Sequence, residues 1–220
     1  MKLIGHRGAA GLAPENTIES FQTAMRIGVD ALEFDLRLTS DQQIVVNHDA
    51  SLKRAFGVNM TISQHTLAEL QKACPKLPTL NQVLQACGDT ALVIELKELI
   101  PAELLHAALA TIPKTQYSLV SFKLEALQSI KHVFPFVHMS LLSFAWPCRK
   151  EHLAKKNSLQ GIGVYWLFLN PLVYWQAKRH GLEIYTYTLN NALLTRTITR
   201  LYPRVAVCSD RPDLLQSLRS

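Results

Sequence analysis

Two pairs of charged side chains lie within apolar segments of this 220-residue chain. Glu33 and Asp35 are two positions apart, and Glu95 and Lys97 repeat that spacing. On a β-strand, side chains two positions apart point to the same face of the sheet. Because the neighbouring positions 32, 34 and 36 are apolar and suit a face covered by helices, we expect the charged face to point inward. Several carboxylates cannot stay charged there without compensation, and a cation is the simplest compensation.

The donor types indicate which cation would suit these carboxylates. Carboxylate oxygens without thiolates favour a hard ion such as Mg²⁺ or Ca²⁺, and Mn²⁺ is also compatible. An E-x-D pair on its own is weak evidence for a metal, because an ion pair to Arg7 or Lys97 at the rim would use the same residues. The metal interpretation therefore depends on which other polar side chains lie nearby.

Two histidines follow apolar runs in the same way as the acidic residues. His6 ends the first run and His48 ends another, and Arg7 and Lys97 add positive charge that suits a phosphate. A pair of histidines can protonate a leaving oxygen and deprotonate a water, as phosphodiester hydrolysis requires. A lone histidine is more often structural, but all these polar groups fall at the ends of predicted strands.

The elements that would position these residues recur along the whole chain. Each β-branched or apolar run is followed by a segment with helical spacing, which predicts a parallel (β/α)₈ barrel, the TIM barrel, with its site at the carboxyl ends of the strands. A doubly wound open sheet is the structural alternative. The predicted strands are 2–6, 31–38, 91–97, 117–122, 138–143, 161–166, 183–188 and 205–210, and the predicted helices are 17–27, 101–111, 123–133, 149–156, 171–180, 191–201 and 212–218.

The region after the second strand departs from a bare barrel. An extra strand-like run covers residues 44–48, and a long excursion, about 49–90, holds two helical pieces at 66–73 and 79–86. The sequence contains no repeat, low-complexity tract or linker. We therefore expect one domain over residues 1–220, with this excursion as a small insertion.

Composition excludes several classes of protein. The chain is 48% hydrophobic and 18% charged, and the apolar stretch at 164–175 is interrupted by Asn170 and Pro171, so no membrane-spanning segment is predicted. The first residues lack the apolar region of a signal peptide, which favours a cytoplasmic location. The four cysteines match no zinc or redox spacing and are expected to be free thiols, most of them buried.

Charge is distributed unevenly along the chain. Residues 1–110 carry nine Lys or Arg against twelve Asp or Glu, whereas residues 111–220 carry fourteen against five. The positive charges of the second half are scattered, and no basic and aromatic platform interleaves them, so we expect solvated helix faces rather than nucleic-acid binding. Membrane contact is not expected either.

An ordered set of short motifs is more specific than any of the residue pairs taken alone. The motifs are His6-Arg7-Gly8, Pro14-Glu15-Asn16-Thr17, Gly28-Val29-Asp30 with Glu33-Phe34-Asp35, Thr39-Ser40-Asp41, His48-Asp49, Pro78-Thr79-Leu80, Glu95-Leu96-Lys97, Ser121-Phe122, Thr188-Leu189-Asn190 and Ser209-Asp210-Arg211-Pro212. In that order they resemble the glycerophosphodiester phosphodiesterase family over nearly the whole chain.

The resemblance implies a fold, a reaction and roles for individual residues. It implies a TIM-barrel enzyme that uses a divalent metal, Mg²⁺ or Ca²⁺, to hydrolyse small glycerophosphodiesters to sn-glycerol 3-phosphate and an alcohol. The excursion after His48 would cap the glycerol side. The implied roles are general acid and base for His6 and His48, metal ligands for Glu33, Asp35 and Glu95, phosphate contacts for Arg7 and Lys97, and substrate-site lining for Glu15 and Asn16.

Some positions depart from the family pattern and bear on substrate shape. Tyr187 stands where a tryptophan is usual, Lys53 replaces a frequent acidic residue, and residues 202–206 lack the usual approach to the last strand. The apolar segment 165–169 could contact an apolar alcohol group or lipid, although packing between barrel and helix is the favoured interpretation. The alternatives are therefore lysophospholipase D-like cleavage of lipid headgroups and, less favoured, a catalytically silent phosphate-binding module.

Overall fold

Eight parallel strands close into a barrel in the computed structural model, which describes residues 1–145 and 147–218. Closure is visible at β1 (Leu3–Gly5), which pairs in parallel with β2 (Ala31–Leu38) on one side and with β9 (Ala206–Ser209) on the other. The predicted TIM barrel is confirmed. The open-sheet alternative is excluded, because an open sheet has two edge strands and each of the eight parallel strands here pairs with a neighbour on both sides.

The remaining elements follow the alternation that the sequence predicts. The other strands are β3 (Ile44–Val46), β4 (Ala91–Leu96), β5 (Tyr117–Ser121), β6 (His138–Ser143), β7 (Gly161–Tyr165) and β8 (Glu183–Tyr187). The helices are α1 (Ile18–Ile27), α2 (Lys53–Phe56), α3 (Leu67–Ala73), α4 (Leu80–Cys87), α5 (Ala102–Leu109), α6 (Leu124–Ile130), α7 (Pro147–Lys156), α8 (Pro171–Arg179) and α9 (Ala192–Leu201). Short 3₁₀ turns cover Ile62–Gln64, Trp166–Phe168 and Pro212–Leu218.

Local sequence explains several helix boundaries. The Thr17 side chain accepts a hydrogen bond from the Ser20 amide at the start of α1, and Gly28 ends that helix in the left-handed conformation at φ 85°. Capping boxes begin α3 and α4, where Thr66 pairs with Glu69 and Thr79 with Gln82. The last predicted helix, 212–218, is a 3₁₀ helix instead.

The strands bury both faces, and the two faces differ in chemistry. Leu32, Phe34 and Leu36 of β2 are fully buried in the main core between strands and helices, as the alternation predicts. The opposite face of β2 points into the barrel. There Ala31 joins a small apolar cluster near the amino end, whereas Glu33 and Asp35 follow it towards the carboxyl end. The charged groups are thus concentrated at one end of the barrel.

The excursion after β3 contains two parts with different packing. β3 pairs antiparallel with β2, and a separate core of Val45, Leu52, Ile62, Leu70, Cys74 and Leu77 holds the segment up to α3 together. Helix α4, in contrast, packs against α1 with the main core. The first part is a small lobe beside the barrel mouth, and α4 belongs to the outer helical layer.

The structure also bears on membrane-spanning helices and on the state of the cysteines. No helix among the described residues is long and apolar enough to cross a bilayer. All four cysteines are free thiols; Cys74, Cys87 and Cys208 are buried, whereas Cys148 is exposed.

Candidate active site

Three carboxylates meet at the carboxyl end of the barrel, on the inward faces of β2 and β4. Asp35 and Glu95 lie opposite each other in the strand register, and Glu33 lies two positions before Asp35. One carboxylate oxygen from each lies within 4.8 Å of the others, and all three residues are buried. The alternation on two adjacent strands therefore assembles the cluster that the sequence predicts.

Burial and mutual repulsion make this cluster costly without a cation. Burial, reinforced by the charge of Asp35, raises the pKa of Glu33 to about 7 and that of Glu95 to about 8. Burial alone would raise the pKa of Asp35 as well, but the charges of Lys97 and Arg7 outweigh it and lower that pKa. Asp35 Oδ1 is buried without a hydrogen-bond partner. A group of oxygen donors with one unsatisfied atom fits a divalent cation.

Each of the two histidines is oriented by a carboxylate. His6 Nδ1 lies 2.6 Å from Asp210 Oδ1, and His48 Nδ1 lies 2.6 Å from Asp49 Oδ1. This leaves the Nε2 atom of each ring free to face a substrate, and His6 Nε2 lies 3.9 Å from Glu33 Oε2. A carboxylate on Nδ1 is the arrangement that positions an imidazole for proton transfer.

The two histidines experience opposite electrostatic effects. Burial lowers the pKa of His6, but the hydrogen bond to Asp210 and the charge of Glu33 outweigh it, so that the pKa is raised. Burial also lowers the pKa of His48, and there the charge of Asp35 does not compensate for it, so the pKa remains lowered. The surroundings thus make protonation easier at His6 and harder at His48 than at a free imidazole.

Two cations lie against the same acidic cluster. Lys97 Nζ donates to Glu95 Oε1 at 2.7 Å and lies 3.6 Å from Asp35 Oδ1. Arg7 Nη1 donates to Glu15 Oε1 at 3.0 Å, its Nε lies 3.5 Å from Asp35 Oδ2, and its backbone amide donates to Glu33 Oε2 at 2.9 Å. A cation at this position can neutralise part of the charge of a phosphate.

The loop after β1 is shaped to reach this cluster. Arg7 and Asn16 both have left-handed backbone conformations, at φ 48° and 57°, which are uncommon for residues other than glycine and concentrate at functional sites. Asn16 is fully buried, and its side-chain amide donates to Asp35 Oδ2 at 2.8 Å. Asn16 thus orders a carboxylate of the cluster, whereas Glu15 orders Arg7.

A cavity of about 270 Å³ opens beside these groups. Its charged side is formed by His6, Arg7, Glu33, His48 and Glu95, and its other side is mostly aromatic or apolar. We call this second side the aromatic wall. Its members are Phe122, Leu142, Phe144, Tyr165, Tyr185 and Tyr187.

Residues 165–169 support both interpretations of this segment, packing between barrel and helix and contact with an apolar ligand. Leu169 is buried and Trp166 packs against the main core, which confirms packing for those residues. Tyr165, however, stacks on Phe144 at 4.8 Å between ring centroids and lines the cavity, and Leu167 is 63% exposed. Packing therefore explains only part of the segment. Tyr187, one of the departures from the family pattern, lies in the same wall and donates to the Ser143 carbonyl.

The structure adds four polar residues that the sequence reasoning did not assign. Asp210 and Asp49 hold the histidines, and Asn190 donates to Asp210 Oδ2 at 2.8 Å. Arg54 of α2 donates to both oxygens of Glu15 and to Asp49 Oδ2. Asp49, Asn190 and Asp210 lie within the family-like motifs, so the sequence indicated that these positions matter but not what they do. Arg54 had no such signal, because its contacts form only when the small lobe folds onto the mouth.

Fold and site together define the class as a TIM-barrel enzyme whose mouth gathers three buried carboxylates, two carboxylate-bound histidines and two cations. The sequence profile of the Glycerophosphoryl diester phosphodiesterase family matches residues 6–214. The chain belongs to this family.

Individual relatives agree with this assignment. The protein YhdW of Bacillus subtilis is 30% identical over 237 aligned positions, covering 98% of this chain and 96% of its own length. The human lysophospholipase D GDPD1 is 42% identical over 113 positions, which cover 44% of this chain and 36% of the human one. An Oleispira antarctica phosphodiesterase, solved in complex with the product sn-glycerol-3-phosphate, superposes with a TM-score of 0.91 at 25% identity, covering 100% of this chain and 97% of its own.

Proposed function

We propose that this chain hydrolyses glycerophosphodiesters to sn-glycerol 3-phosphate and an alcohol with the help of a divalent cation. The observation that carries the proposal is the convergence of three buried carboxylates, two carboxylate-bound histidines and Arg7 around one cavity. Membership of the family and the product complex of the Oleispira antarctica phosphodiesterase support the same reaction.

Glu33, Asp35 and Glu95 are the residues that would hold the cation. When bound, an ion such as Mg²⁺ or Ca²⁺ supplies positive charge that polarises the phosphodiester and stabilises the charge developing on it. The three side chains offer only oxygen donors, so a hard cation is the matching class. Arg7 and Lys97 would contact the phosphate oxygens, and Glu15 and Asn16 would keep Arg7 and Asp35 in place.

His6 and His48 would divide the proton transfers between them. The glycerol 2-hydroxyl attacks phosphorus as one histidine accepts its proton, and the bond to the alcohol breaks as the other histidine protonates the departing oxygen. Water then opens the resulting cyclic phosphate to sn-glycerol 3-phosphate, with the two proton transfers reversed. Asp210 and Asp49 hold the imidazoles for these transfers through their Nδ1 atoms.

Release of glycerol 3-phosphate from glycerophosphocholine and glycerophosphoethanolamine tests the reaction. We expect release with added Mg²⁺ or Ca²⁺ and loss of release with a chelator. Calorimetric titration with each cation gives an independent readout, in which Glu33→Gln and Glu95→Gln should abolish the binding heat. Release that continues at full rate in chelator would remove the cation from the mechanism, and no release with either cation would overturn the proposed substrate class.

The aromatic wall favours a second candidate, the cleavage of headgroups from lysolipids. Phe144 lines the cavity and is 60% exposed, and Leu167, two residues after the cavity-lining Tyr165, is 63% exposed. Exposed apolar side chains of this kind suit an acyl chain. The lysophospholipase D name of the human relative supports this activity. A kcat/KM higher for lysophosphatidylcholine than for glycerophosphocholine would favour this second candidate, whereas the reverse order would exclude it as the main activity.

A further inference from the structure

A second cavity, of about 510 Å³, opens at the other end of the barrel. It is lined by the first residues of several strands, such as Ala31 of β2, Ala91 of β4 and Tyr117 of β5. Parallel strands place these residues at the end opposite the candidate active site. The cavity falls within the size range of small-molecule sites, and nothing in the proposed reaction requires it.

The deep part of this cavity is apolar. Ile4, Val93 and Val120 point into the barrel and belong to its inner apolar cluster. Tyr185 lines both this cavity and the one at the mouth, so its ring lies between the two spaces. Beyond the rim, a ligand entering from the amino end would therefore meet apolar side chains and then the ring of Tyr185.

The rim carries an excess of positive charge. Lys2, Lys178 and Arg204 line it together with a single carboxylate, that of Glu183. Glu183 Oε2 lies 3.3 Å from His138 Nε2. Among residues 1–145 and 147–218, no carboxylate lies within ion-pair distance of Lys2, Lys178 or Arg204. The rim can therefore supply counter-charge to an anion.

A serine hydroxyl is available inside the cavity. Ser140 of β6 is only 3% exposed and lines the cavity, and within the described part of the chain its hydroxyl has no hydrogen-bond partner. A Cβ at Gly161 would lie 2.5 Å from Ser140 Oγ, so the hydroxyl keeps its place only beside a glycine. A hydroxyl that faces the cavity without a protein partner is available to donate to a ligand oxygen there.

We propose that this cavity binds a small amphiphilic anion, one with a phosphate or carboxylate head and a short alkyl tail. The head lies between Lys2, Lys178 and Arg204, the tail lies against Ile4, Val93 and Val120, and the Ser140 hydroxyl donates to a ligand oxygen. A phosphate monoester and a fatty acid share this chemistry. The site is separate from the candidate active site and does not depend on the proposed reaction.

Calorimetric titration of the whole chain with octyl phosphate, below its micellar concentration, tests the proposal. Octanoate, inorganic phosphate and 1-octanol are titrated in parallel to separate the contributions of the head and the tail. We expect octyl phosphate and octanoate to bind, and inorganic phosphate and octanol to bind at least about ten-fold more weakly, because each lacks one of the two contacts.

Variants assign the binding to this cavity. Lys178→Glu with Arg204→Glu should weaken octyl phosphate binding by at least about ten-fold, because charge-assisted contacts are lost and repulsion is gained. Ser140→Ala, which changes no charge, should weaken it by about two- to ten-fold. The matched control is Lys155→Glu with Lys156→Glu, which reverses two exposed charges in the last turn of α7 outside the cavity and should leave the affinity unchanged.

Two results would overturn the proposal. One is the absence of octyl phosphate binding to the wild-type chain. The other is binding that Arg7→Gln abolishes and that Lys178→Glu with Arg204→Glu does not change, since this would place the ligand at the mouth. If the double reversal lowers the unfolding temperature, Ser140→Ala still distinguishes the outcomes, because it alters the cavity without altering the rim.

Discussion

The two halves of the barrel bring different chemistry to the same mouth. Strands β1, β2 and β4, together with the loops that follow β1 and β3, supply His6, Arg7, Glu33, His48 and Glu95 to the charged side of the cavity. The strands from β5 to β8 and their loops supply the aromatic wall. The division follows the charge distribution of the sequence, in which the first 110 residues hold twelve of the seventeen acidic residues.

This difference separates reaction chemistry from substrate shape. The charged side can bind a cation and move protons, whereas the aromatic wall offers mainly contact area. The exception is Asp210, which lies after β9 at the end of the chain and holds His6 at the start. Closure of the barrel brings these two residues together, so the reaction side depends on the last strand as well. We expect changes on the charged side to lower turnover and changes on the wall to alter substrate preference.

The largest effect is expected at the two histidines. His6→Ala or His48→Ala should lower kcat on glycerophosphocholine by about 10²–10⁴-fold, because each removes a proton-transfer group. His152→Ala, at an exposed position of α7, is the matched control and should leave kcat unchanged. The measurement is initial rate together with the unfolding temperature of each variant.

A substrate with a p-nitrophenol leaving group distinguishes the two histidine roles. Such a leaving group needs no protonation, so the variant that lacks the acid should recover activity on it and the variant that lacks the base should not. Near-wild-type turnover on glycerophosphocholine in either variant would remove that histidine from the mechanism.

A smaller effect is expected at Arg54, which joins the small lobe to the charged side. Arg54→Gln should lower kcat by about ten-fold, because Glu15 and Asp49 lose their shared partner and the groups they hold are displaced. Arg54→Lys should recover only part of the rate, since lysine cannot bind both carboxylates in the same planar geometry. The neighbouring exposed Lys53→Gln is the control. Equal rates for Arg54→Gln and Lys53→Gln would contradict this role for the lobe.

Changes on the aromatic wall should alter KM for bulky substrates rather than kcat. Phe144→Ala removes the ring that stacks on Tyr165, and we expect KM for a lysolipid to rise by about three- to ten-fold, with kcat on glycerophosphocholine within about two-fold of wild type. Phe136→Ala removes an aromatic ring that is 86% exposed just before β6, at the other end of the barrel, and serves as control. A drop in kcat on both substrates would show that the wall also positions the reacting groups.

The smallest expected effect is on stability, at Glu151 in the second half of the chain. This carboxylate lines neither the cavity at the mouth nor the cavity at the amino end. Glu151 of α7 is 1% exposed, lies 3.0 Å from His180, and burial raises its pKa to about 7. Because the folded-state pKa lies above the usual value of 4.5, the folded chain binds this proton more tightly. The stability that this provides is complete below about pH 4.5 and is lost as the pH rises through 7.

Glu151→Gln mimics the protonated form and should remove this loss. We expect the unfolding temperature of the variant, relative to wild type, to increase by a few degrees between pH 5 and pH 8. Added Mg²⁺ or Ca²⁺ should leave this difference unchanged, since Glu151 lies outside the acidic cluster of the first half. A variant that is less stable than wild type at pH 8 would show that the contact with His180 outweighs the cost of burial.

Much of the site could be predicted because strand geometry is local. Spacing of two residues is enough to place Glu33 with Asp35 on one face, and apolar neighbours are enough to direct that face inward. Contacts between distant segments were harder to predict. Asp210 and His6 are 204 positions apart, and Arg54 and Glu15 are 39 apart, so no local pattern connects them.

The order of the barrel strands and their helices, the inward direction of the carboxylates and, through the motifs, the family could all be predicted from the sequence. Helix α2, the pairing of each histidine with its carboxylate, the contact of the small lobe with the mouth through Arg54, the place of Tyr165 in the cavity and the second cavity at the amino end appear only in the folded chain. The difference lies in the distance along the chain over which each interaction acts. Periodicity and capping act over a few residues, whereas these contacts arise only when closure of the barrel brings distant segments within hydrogen-bond distance.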